Sequence, residues 1–414
     1  MPRVLLLIPS ATYRAPDFVE AAQRLEIEVV VGSERGSPLE GVAEGRTLTV
    51  DLDDPETGAR QIEAFALQHP VDTVVAVDDA GALVAAAASE LLGLSHNPFD
   101  AVAATRNKYL LRQRLARGEL LTPPFQVFKL DDDPAAIAEE LAAHGGFPCV
   151  VKPLALAGSR GVIRADDEET FIAAFERLSE LLTDPEVAAD CGDIADQVLV
   201  EDYIPGVEVS LEGLLVDGEL HTLALFDKPD PLEGPFFEET IYVTPSRLSP
   251  EVQDDIFESV QRAAGALGLH DGPIHAELRV NENGIWPIDI AARSIGGLCS
   301  RTLSFLGGSL EEVILRHAIG AEAPSYERTG AASGVIMIPI PSGGTLEAVR
   351  GVQDAEAVAG VSEVTITIRP GQRVVPLPEG SEYLGFIFAQ GAFPEAVETA
   401  LREAHAALEF DISA

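Results

Sequence analysis

The chain contains 414 residues, which exceeds one ordinary domain and predicts about two to four of them. Its formal net charge of −40 argues against DNA, RNA or an anionic membrane as the main partner, because those surfaces would repel it. Apolar residues make up 46% of the chain, which is enough to build buried cores, so global disorder is excluded.

Lysine is rare in this acidic chain. Only Lys108, Lys129, Lys152 and Lys228 occur, against 24 arginines, so each lysine is informative. An acid excess combined with loss of lysine is consistent with adaptation to high salt, and GC-rich coding is the alternative explanation. The sequence leaves both open.

The cysteines and the first strand bear on the cellular compartment. Cys149, Cys191 and Cys299 are widely spaced and odd in number, which fits neither a disulfide framework nor a Cys-x-x-Cys metal site. The apolar run at residues 4–8 is too short for a signal-peptide core or a membrane span. We therefore expect a cytoplasmic protein without a membrane partner.

The first hundred residues have the pattern of a parallel α/β sheet, which predicts a Rossmann-like domain over residues 1–100. Apolar strand-like runs alternate with Ala-rich helical stretches, at residues 4–8, 18–25, 27–31, 71–77 and 81–92. The turn after the first strand, Pro9-Ser10-Ala11-Thr12, has no glycine that would let a pyrophosphate approach a helix N-terminus. A dinucleotide site is not expected there.

The rest of the chain predicts α+β bodies, which makes the fold class multidomain α/β and α+β. A single connecting helix over 101–122 carries Arg106, Asn107 and Lys108 and is ended by the prolines that follow Thr122. Residues 123–198 predict a small α+β module, with a strand at 148–153, a glycine-containing loop and a helix at 167–182. Residues 199–330 predict strands and hairpins. Residues 331–414 predict a compact cap in which strand, helix, strand, strand and helix follow one another.

Residues 272–293 predict a hairpin of two alternating strands around a glycine turn. A three-residue turn, Glu282-Asn283-Gly284, would put Leu278 opposite Ile288, Val280 opposite Trp286 and Ala276 opposite Ile290 on one apolar face. The same register puts Glu277 directly opposite Asp289.

Two adjacent carboxylates are most easily kept ionised by a shared cation, and hard oxygen ligands suit a Mg²⁺ ion that also contacts phosphate. Arg293 follows four residues after Asp289, where a guanidinium could clamp a developing phosphoryl or oxyanion charge. A solvated acidic hairpin with a structural arginine is the alternative interpretation.

Lys152 leaves the buried strand Val150-Val151-Lys152 and is followed by a small flexible loop, Ala157-Gly158-Ser159-Arg160-Gly161. Such a loop can fold over phosphates, with positive charge supplied by its backbone N–H groups and the lysine. No Gly-Lys-Ser/Thr sequence follows, so a Walker A loop is excluded.

The segment around residues 198–213 predicts a strand, a Pro-Gly turn and a second, strictly alternating strand. The first strand leads into Glu201, Tyr203 and Ile204, which offer backbone and carboxylate groups to an adenine edge. Glu208 lies on the polar face of the second strand, from which it could reach ribose hydroxyls. An ordinary half-buried hairpin is the alternative.

Taken in chain order, these motifs resemble the ATP-grasp superfamily. They are Lys108, Lys152 with its glycine loop, Glu201 through Glu208, and the set Glu277, Asp289 and Arg293. The resemblance covers nearly the whole chain and implies a Rossmann-like pre-ATP-grasp domain, an ATP-grasp lid over 123–198, an ATP-grasp core over 199–330 and a C-terminal cap like that of biotin-carboxylase-like ligases. The run from Ile288 to Arg293 resembles the L-amino-acid ligases, which join two amino acids into a dipeptide.

The resemblance implies a role for each motif. It implies that ATP and Mg²⁺ are bound by three groups of residues: for phosphates Lys108 and Lys152 with Gly158, Ser159, Arg160 and Gly161; for the nucleoside Glu201, Tyr203, Ile204 and Glu208; for the metal Glu277 and Asp289. Arg293 would hold the acyl phosphate, with Lys152 as its catalytic partner. Asp289 stands where Glu is usual, and Ala291 where many members carry a metal-binding Asn. The number of bound metal ions, one or two, therefore stays open, and Mn²⁺ is an alternative to Mg²⁺.

The implied reaction is ATP-dependent coupling of a carboxylate to the amine of an amino acid, through an acyl phosphate, with release of ADP and phosphate. Small-molecule carboxylates and amines are thus the expected partners, with no nucleic acid, and a homodimer is common in the family. Substrate contacts are expected from Lys228, Glu238, Glu239, His275, Arg293, Gly296 and Gly297. The alternatives are a bicarbonate-using carboxylase, which usually carries a Glu-His pair shortly after the arginine, and a non-catalytic ATP-binding regulatory module.

Overall fold

The computed structural model describes residues 1–10, 12–36, 45–322 and 325–413. These residues form two four-stranded sheets, one eight-stranded sheet and two smaller sheets. None of the helices in these ranges has both the length and the hydrophobicity that crossing a bilayer requires.

The N-terminal body is a parallel sheet flanked by helices, as the alternating pattern predicts. Its elements are β1 (Arg3–Leu7), α1 (Ala15–Arg24), β2 (Glu28–Ser33), β3 (Thr47–Thr49), α2 (Pro55–Ala66), β4 (Thr73–Ala76) and α3 (Asp79–Leu92). The strand order is β3-β2-β1-β4. Leu5 of β1 belongs to a core with Ile62 of α2, and Leu6 to a core with Phe18 of α1. Burial on both faces explains the continuous apolar run of β1. In the turn that follows β1, Ala11 lies outside the described residues.

The predicted single connecting helix is wrong, because the chain forms two helices there. They are α4 (Phe99–Arg106) and α5 (Lys108–Arg117). Asn107 between them is extended, with φ −131° and ψ 106°, and its side chain accepts hydrogen bonds from the N–H groups of Tyr109 and Leu110. Asparagine at this position caps the second helix and ends the first. Lys108 therefore begins α5, and its backbone N–H donates to the carbonyl of Leu154.

The next body is an antiparallel sheet, in the order β5-β8-β6-β7, with two helices packed against it. Its elements are β5 (Phe125–Lys129), α6 (Pro134–Ala143), β6 (Cys149–Pro153), β7 (Ile163–Ala165), α7 (Glu168–Thr183), α8 (Pro185–Cys191), a 3₁₀ turn (Gly192–Ile194) and β8 (Gln197–Asp202). Asp167 caps α7 in a capping box with Thr170, and Phe171, Phe175 and Leu178 of α7 face the sheet in the core. We call this body the lid.

The core and the C-terminal region share one sheet. The core elements are β9 (Val207–Val216), β10 (Glu219–Asp227), β11 (Ile241–Thr244), α9 (Pro250–Leu267), β12 (Gly272–Asn281), β13 (Gly284–Ala291), a 3₁₀ turn (Cys299–Thr302), β14 (Ser304–Phe305), β15 (Gly308–Ser309) and α10 (Leu310–Ala318). The C-terminal elements are β16 (Ala332–Ile338), β17 (Gly344–Arg350), α11 (Val352–Glu356), β18 (Val361–Ile366), β19 (Arg373–Val374), β20 (Gly385–Gly391), α12 (Pro394–Ala406) and β21 (Glu409–Ser413). The large sheet has the order β13-β12-β9-β10-β11-β16-β20-β18, and β19-β17-β21 form a separate sheet.

The predicted element order for the C-terminal region is therefore wrong in detail. Two strands, β16 and β17, precede the first helix, and β21 follows the last one. The short strand β17 carries Glu347 and Ala348, which favour no strand, and α11 has only five residues, too few to show a helical period.

The segment 203–206 connects two sheets rather than closing a hairpin. Strand β8 belongs to the lid sheet and β9 to the large sheet, so the alternative of an ordinary hairpin is wrong. Gly206 has φ +137°, and the predicted polar residues of β9 are buried, with Glu208 9% and Glu212 0% exposed. Lid and core thus meet at this connection.

The hairpin of β12 and β13 pairs Glu277 with Asp289 and Ala276 with Ile290, as predicted, but by a different route. The turn has two residues, since Asn281 pairs with Gly284, and the side chain of Asn281 accepts from the N–H of Asn283 at 2.9 Å. A bulge between Glu277 and Leu278 then restores the register at the carboxylates.

The predicted pairs of Leu278 with Ile288 and of Val280 with Trp286 are therefore wrong, because Leu278 faces Pro287 and Val280 faces Ile285. Ile288 is the extra residue of the bulge.

Replacing Gly206 by alanine tests the connection between the sheets. A Cβ at Gly206 would lie 2.4 Å from the carbonyl oxygen of Val280, on a backbone that only glycine adopts easily. We expect Gly206→Ala to lower the free energy of unfolding by about 2 kcal/mol or more, measured by urea denaturation. The control is Gly265→Ala in α9, where the added Cβ meets nothing within 4 Å; we expect it to raise that free energy by about 0.5 kcal/mol. Equal effects of the two changes would contradict this account.

Candidate active site

A cleft between the lid sheet and the large sheet brings most of the predicted site residues together. The cleft is lined by thirteen of them: Lys108, Lys152, Gly158, Ser159, Glu201, Tyr203, Ile204, Glu208, Glu239, His275, Glu277, Asp289 and Arg293. They come from the start of α5, the strands and loop of the lid, the 203–206 connection, and strands β9, β12 and β13. Glu239 lies in the loop between β10 and β11, and Arg293 follows the end of β13. Segments distant in sequence thus converge on one cavity.

Lys152 is held in a buried charge cluster. Its Nζ lies 2.6 Å from Oε2 of Glu201, and the Glu201 carboxylate also accepts two hydrogen bonds from the Arg112 guanidinium, at 2.6 and 3.1 Å. Burial lowers the pKa of Lys152 to about 8. Burial alone would raise the pKa of Glu201, but Arg112 and Lys152 hold it below its usual value. Glu201 therefore remains an ionised carboxylate, and in this form it positions Lys152.

Lys108 lines the same cleft as Lys152. Its Nζ donates to the carbonyl of Leu156 at 2.8 Å and lies 3.7 Å from Oδ2 of Asp289. Gly158 and Ser159 line the same cavity. The two lysines and the loop thus place two positive charges and backbone groups around one space, which suits polyphosphate.

Three carboxylates, one buried and two half-buried, surround the ammonium of Lys228. Its Nζ is 2.9 Å from Glu208 and 3.5 Å from Glu277, and it also bonds Glu239. Burial would lower the pKa of Lys228, but Glu239 and Glu277 raise it well above its usual value. Burial would raise the pKa of Glu277, but Lys228 and His275 hold it well below its usual range. Burial and the Glu277 charge raise the pKa of Glu239.

An aromatic and arginine cluster closes the other end of the cleft. Tyr203 stacks with Phe237 at a centroid distance of 6.3 Å, and the Arg164 guanidinium lies 4.1 Å from the centre of the Tyr203 ring. Arg279 donates to Oε2 of Glu208 and to the carbonyl of Ile204. The aromatic rings of Tyr203 and Phe237, next to the 203–206 connection, suit stacking with a planar base.

Arg293 links the core to the N-terminal body. Its Nη2 donates to Oδ2 of Asp79, the first residue of α3, at 2.8 Å. Burial would lower the pKa of Arg293, but Asp79 raises it above its usual value.

His275 lies between Glu212, at 3.1 Å, and Glu277, at 3.7 Å. Burial would lower the pKa of His275, but these carboxylates raise it.

Six predicted site residues do not line the cleft: Arg160, Gly161, Lys228, Glu238, Gly296 and Gly297. Arg160 donates to the carbonyl of Glu379 and the N–H of Gly161 to that of Pro378, so this half of the loop is tied to the C-terminal region.

The other four lie around the cleft in different ways. Lys228 is beneath the lining, with a side chain 3% exposed, and Glu238 is half-buried. A Cβ at Gly296 would meet nothing within 4 Å, which agrees with open space there, whereas one at Gly297 would lie 3.1 Å from the Phe386 ring.

Sequence reasoning missed three residues that shape the site: Arg112, Arg279 and Asp79. Arg112 follows Lys108 by four residues and so lies one turn further along the same helix face, a spacing that could have indicated it. Arg279 alternates with Glu277 on β12, which could have placed it on the carboxylate face. For Asp79, only the fold brings α3 to Arg293.

The donor atoms fit a magnesium ion. Glu208, Glu239 and Glu277 each offer an oxygen within 4.8 Å of the others, and Asp289 is the ladder partner of Glu277. These are hard oxygen ligands, which Mg²⁺ prefers. The sequence expectation named Glu277 and Asp289; the structure brings Glu277 together with Glu208 and Glu239 as well.

Comparison with known proteins agrees with this geometry. The chain matches the ATP-grasp N-terminal domain over residues 19–99, the ATP-grasp domain over 145–302 and the L-amino acid ligase C-terminal domain 2 over 336–413. It is 30% identical over 246 residues to alanine–anticapsin ligase of Bacillus subtilis, an alignment that covers 56% of this chain and 50% of that ligase. The chain thus spans about half the length of this relative.

Solved structures extend the likeness to the whole chain. An L-amino acid ligase from Bacillus licheniformis superposes with a TM-score of 0.83 and 26% identity, covering 100% of this chain and 99% of that one. A carboxyaminoimidazole ribonucleotide synthase from Aspergillus clavatus complexed with ATP shares the fold, with a TM-score of 0.73, 17% identity and 98% of each chain covered. The protein is therefore an ATP-grasp protein. Residues 336–413 match the C-terminal domain of the L-amino acid ligases, and a solved L-amino acid ligase superposes along the whole chain.

The low pKa of Lys152 can be measured directly, because the chain has only four lysines. In protein labelled with ¹³Cε-lysine, we expect one NMR signal to titrate with a midpoint near pH 8, since burial disfavours the charged amine, and the Lys228 signal to titrate well above 10.5. The cleft therefore loses a positive charge as the pH rises through 8.

The variant Lys152→Arg identifies the signal, because arginine keeps the charge and contributes no lysine resonance. The signal that titrates near pH 8 must vanish in this variant. If all four signals of the wild type titrated above pH 10, the expectation that burial outweighs the Glu201 charge in setting the pKa of Lys152 would be wrong.

Proposed function

We propose that the protein is an ATP-dependent ligase that activates a carboxylate as an acyl phosphate and couples it to the amine of an amino acid, releasing ADP and phosphate. The observation that carries this proposal is the convergence of Lys108, Lys152, Glu277, Asp289 and Arg293 on one cleft. Its relatives support the same reaction class, since they include an alanine–anticapsin ligase and an L-amino acid ligase.

The residues of the cleft suggest a division of roles. Lys108 and Lys152 would bind the phosphates from opposite sides, with the loop at Gly158 and Ser159 above them, and the aromatic end at Tyr203 would receive adenine. A bound metal ion would neutralise charge on the transferring phosphoryl group. Glu277 and Asp289 would hold that ion, with Glu208 and Glu239 close by; one or two ions, Mg²⁺ or Mn²⁺, are compatible with this set.

Arg293 would hold the carboxylate end of the substrate and the acyl phosphate that forms from it. The oxygen of the substrate carboxylate attacks the γ-phosphate of ATP, ADP leaves, and the amine nitrogen then attacks the acyl carbon and displaces phosphate. Negative charge accumulates on the phosphoryl group in the first step and on the acyl oxygen and leaving phosphate in the second. A fixed guanidinium would stabilise this charge in both steps. The lid would exclude water, which would otherwise hydrolyse the acyl phosphate.

The structure refines the proposed substrate contacts. Glu239 lines the cleft and Glu238 does not, so Glu239 is the better candidate for pairing with a substrate ammonium. Lys228 has three carboxylate neighbours, which favours a role as their counter-ion over direct substrate contact. His275 and Gly296 remain proposed neighbours of the substrate.

Further parts of the proposal concern the protein outside the site. The three cysteines are free and buried, which suits a reducing cytoplasm. We also propose that the protein forms a homodimer and that its partners are small molecules, with no nucleic acid or membrane. We propose domain boundaries near residues 100, 122, 198 and 330.

The reaction is tested by ADP release with ATP and Mg²⁺ across pairwise amino-acid mixtures, at low and high KCl, with mass spectrometry of the products and a separate bicarbonate arm. We expect a signal that depends on the amino-acid pair and a product with the condensed mass. Turnover only with bicarbonate would favour a carboxylase. Nucleotide binding without turnover in any arm would favour a regulatory module.

Variants test the site once a productive pair is known. We expect Arg293→Ala and Lys152→Ala each to lower kcat by about 10²-fold or more, because each removes a charge that stabilises the transferring group. Arg402→Ala is the control, since Arg402 forms surface ion pairs with Asp230 and Glu398. Full activity of either cleft variant would contradict the assignment.

A further inference from the structure

Arg112 occupies an unusual position between the lid and the metal-binding hairpin. It lies in α5, one turn after Lys108, and its side chain is 0% exposed. At one end, Nε and Nη2 donate to the two oxygens of Glu201, at 2.6 and 3.1 Å. At the other end, Nη1 donates to the carbonyl of Pro287 at 3.0 Å and Nη2 to that of Ile288 at 2.7 Å.

These two ends reach two separate parts of the site. Glu201 holds Lys152 at 2.6 Å, so the first end of the guanidinium supports a lysine of the lid. Pro287 and Ile288 form the bulge that precedes Asp289, so the second end supports the register that places Asp289 opposite Glu277. A bulge interrupts the ladder and leaves backbone groups that need other partners.

We propose that Arg112 is a positioning residue that couples the lysine of the lid to the carboxylate pair of the hairpin. It touches neither substrate nor metal; it stabilises the Glu201–Lys152 pair and the bulge with one planar group. This inference rests on the proposed function in one respect, which is that nucleotide binds at Lys152 and the metal ion at Asp289.

Only arginine can serve both ends together. Its planar fork presents five N–H donors in fixed directions, whereas lysine has one compact ammonium. A lysine at position 112 would keep the charge next to Glu201 but could not also bond both carbonyls of the bulge. The two functions of the residue can therefore be separated by a single substitution.

The experiment compares Arg112→Lys with Arg114→Lys, the same change two residues further along α5. Arg114 donates to the carbonyl of Leu267 and lies outside the cleft lining, so it controls for loss of an arginine that anchors this helix. Calorimetry measures the dissociation constant of ADP with and without Mg²⁺, and hydrogen exchange measures protection of residues 275–291. Neither readout needs a productive pair of substrates.

We expect the metal-free ADP affinity of Arg112→Lys to stay within threefold of the wild-type value. The factor by which Mg²⁺ increases ADP affinity should be at least fivefold smaller in this variant than in the wild type. Hydrogen exchange at residues 275–291 should be faster. Arg114→Lys should leave both the gain and the exchange unchanged. Equal behaviour of the two variants would overturn the proposal, and so would an equal loss of ADP affinity with and without Mg²⁺, since a general weakening of the fold affects both.

A second variant keeps the test decisive if Arg112→Lys does not fold. Glu201→Gln removes the negative charge that pairs with Arg112 and Lys152 and leaves the bulge contacts of Arg112 in place. We therefore expect it to weaken metal-free ADP binding at least fivefold and to preserve the Mg²⁺-dependent gain in affinity. Loss of that gain in Glu201→Gln would overturn the separation of the two ends. If the wild type binds ADP with Mg²⁺ but couples no amino acids, the proposed function fails while this inference is still tested.

Discussion

The site depends on the pairing of charges that have been removed from water. An isolated charge cannot be buried at an acceptable free energy, so each buried cation in the cleft has a carboxylate partner and each carboxylate a cation or an N–H group. Arg112 and Lys152 share Glu201, while Lys228 lies among Glu208, Glu239 and Glu277. Breaking one such pair would leave an uncompensated charge in a dry environment, which makes these clusters strong constraints on geometry. The sheets provide the scaffold, and Arg112 connects the lid to the core, since it donates both to Glu201 of the lid and to the carbonyls of Pro287 and Ile288 in the core.

Much of this arrangement could be predicted from the sequence because short-range periodicity reports burial. The continuous apolar run of β1 predicts a strand covered on both faces. The predicted pairing of Glu277 with Asp289 is confirmed, but a bulge rather than regular alternation produces it. The lysines were informative for a different reason: four lysines in an acidic chain mark places where an ammonium is needed. Most predicted site residues of the nucleotide and metal motifs therefore line one cleft, with Arg160 and Gly161 as exceptions, and their individual roles remain proposals.

The errors have a common physical origin, which is that turns and caps are decided by single residues rather than by periodic patterns. Asn107 divides the connecting helix because its side chain caps α5, and Asn281 shortens the hairpin turn by accepting a local hydrogen bond. The bulge at Ile288 then recovers the carboxylate pairing that a longer turn would have given. Asp79 was missed because its partner Arg293 lies 214 positions away in the chain, a distance at which no local pattern carries information. The partner of Arg112, Glu201, lies 89 positions away, so only the spacing of Arg112 from Lys108 could have indicated it.

The distribution of lysine and arginine has a structural explanation that both compositional hypotheses must accommodate. Three of the four lysines, Lys108, Lys152 and Lys228, lie at the cleft, and Lys129 alone forms an exposed ion pair, with Asp196. Described surface ion pairs such as Arg60–Glu56 and Arg402–Glu398 use arginine instead. Where three carboxylates converge on one point, a compact ammonium can face all of them, whereas a planar guanidinium directs its donors outward in a fork. An arginine in place of Lys228 would therefore change the geometry of this cluster, whether high salt or coding bias explains the lysine-poor surface.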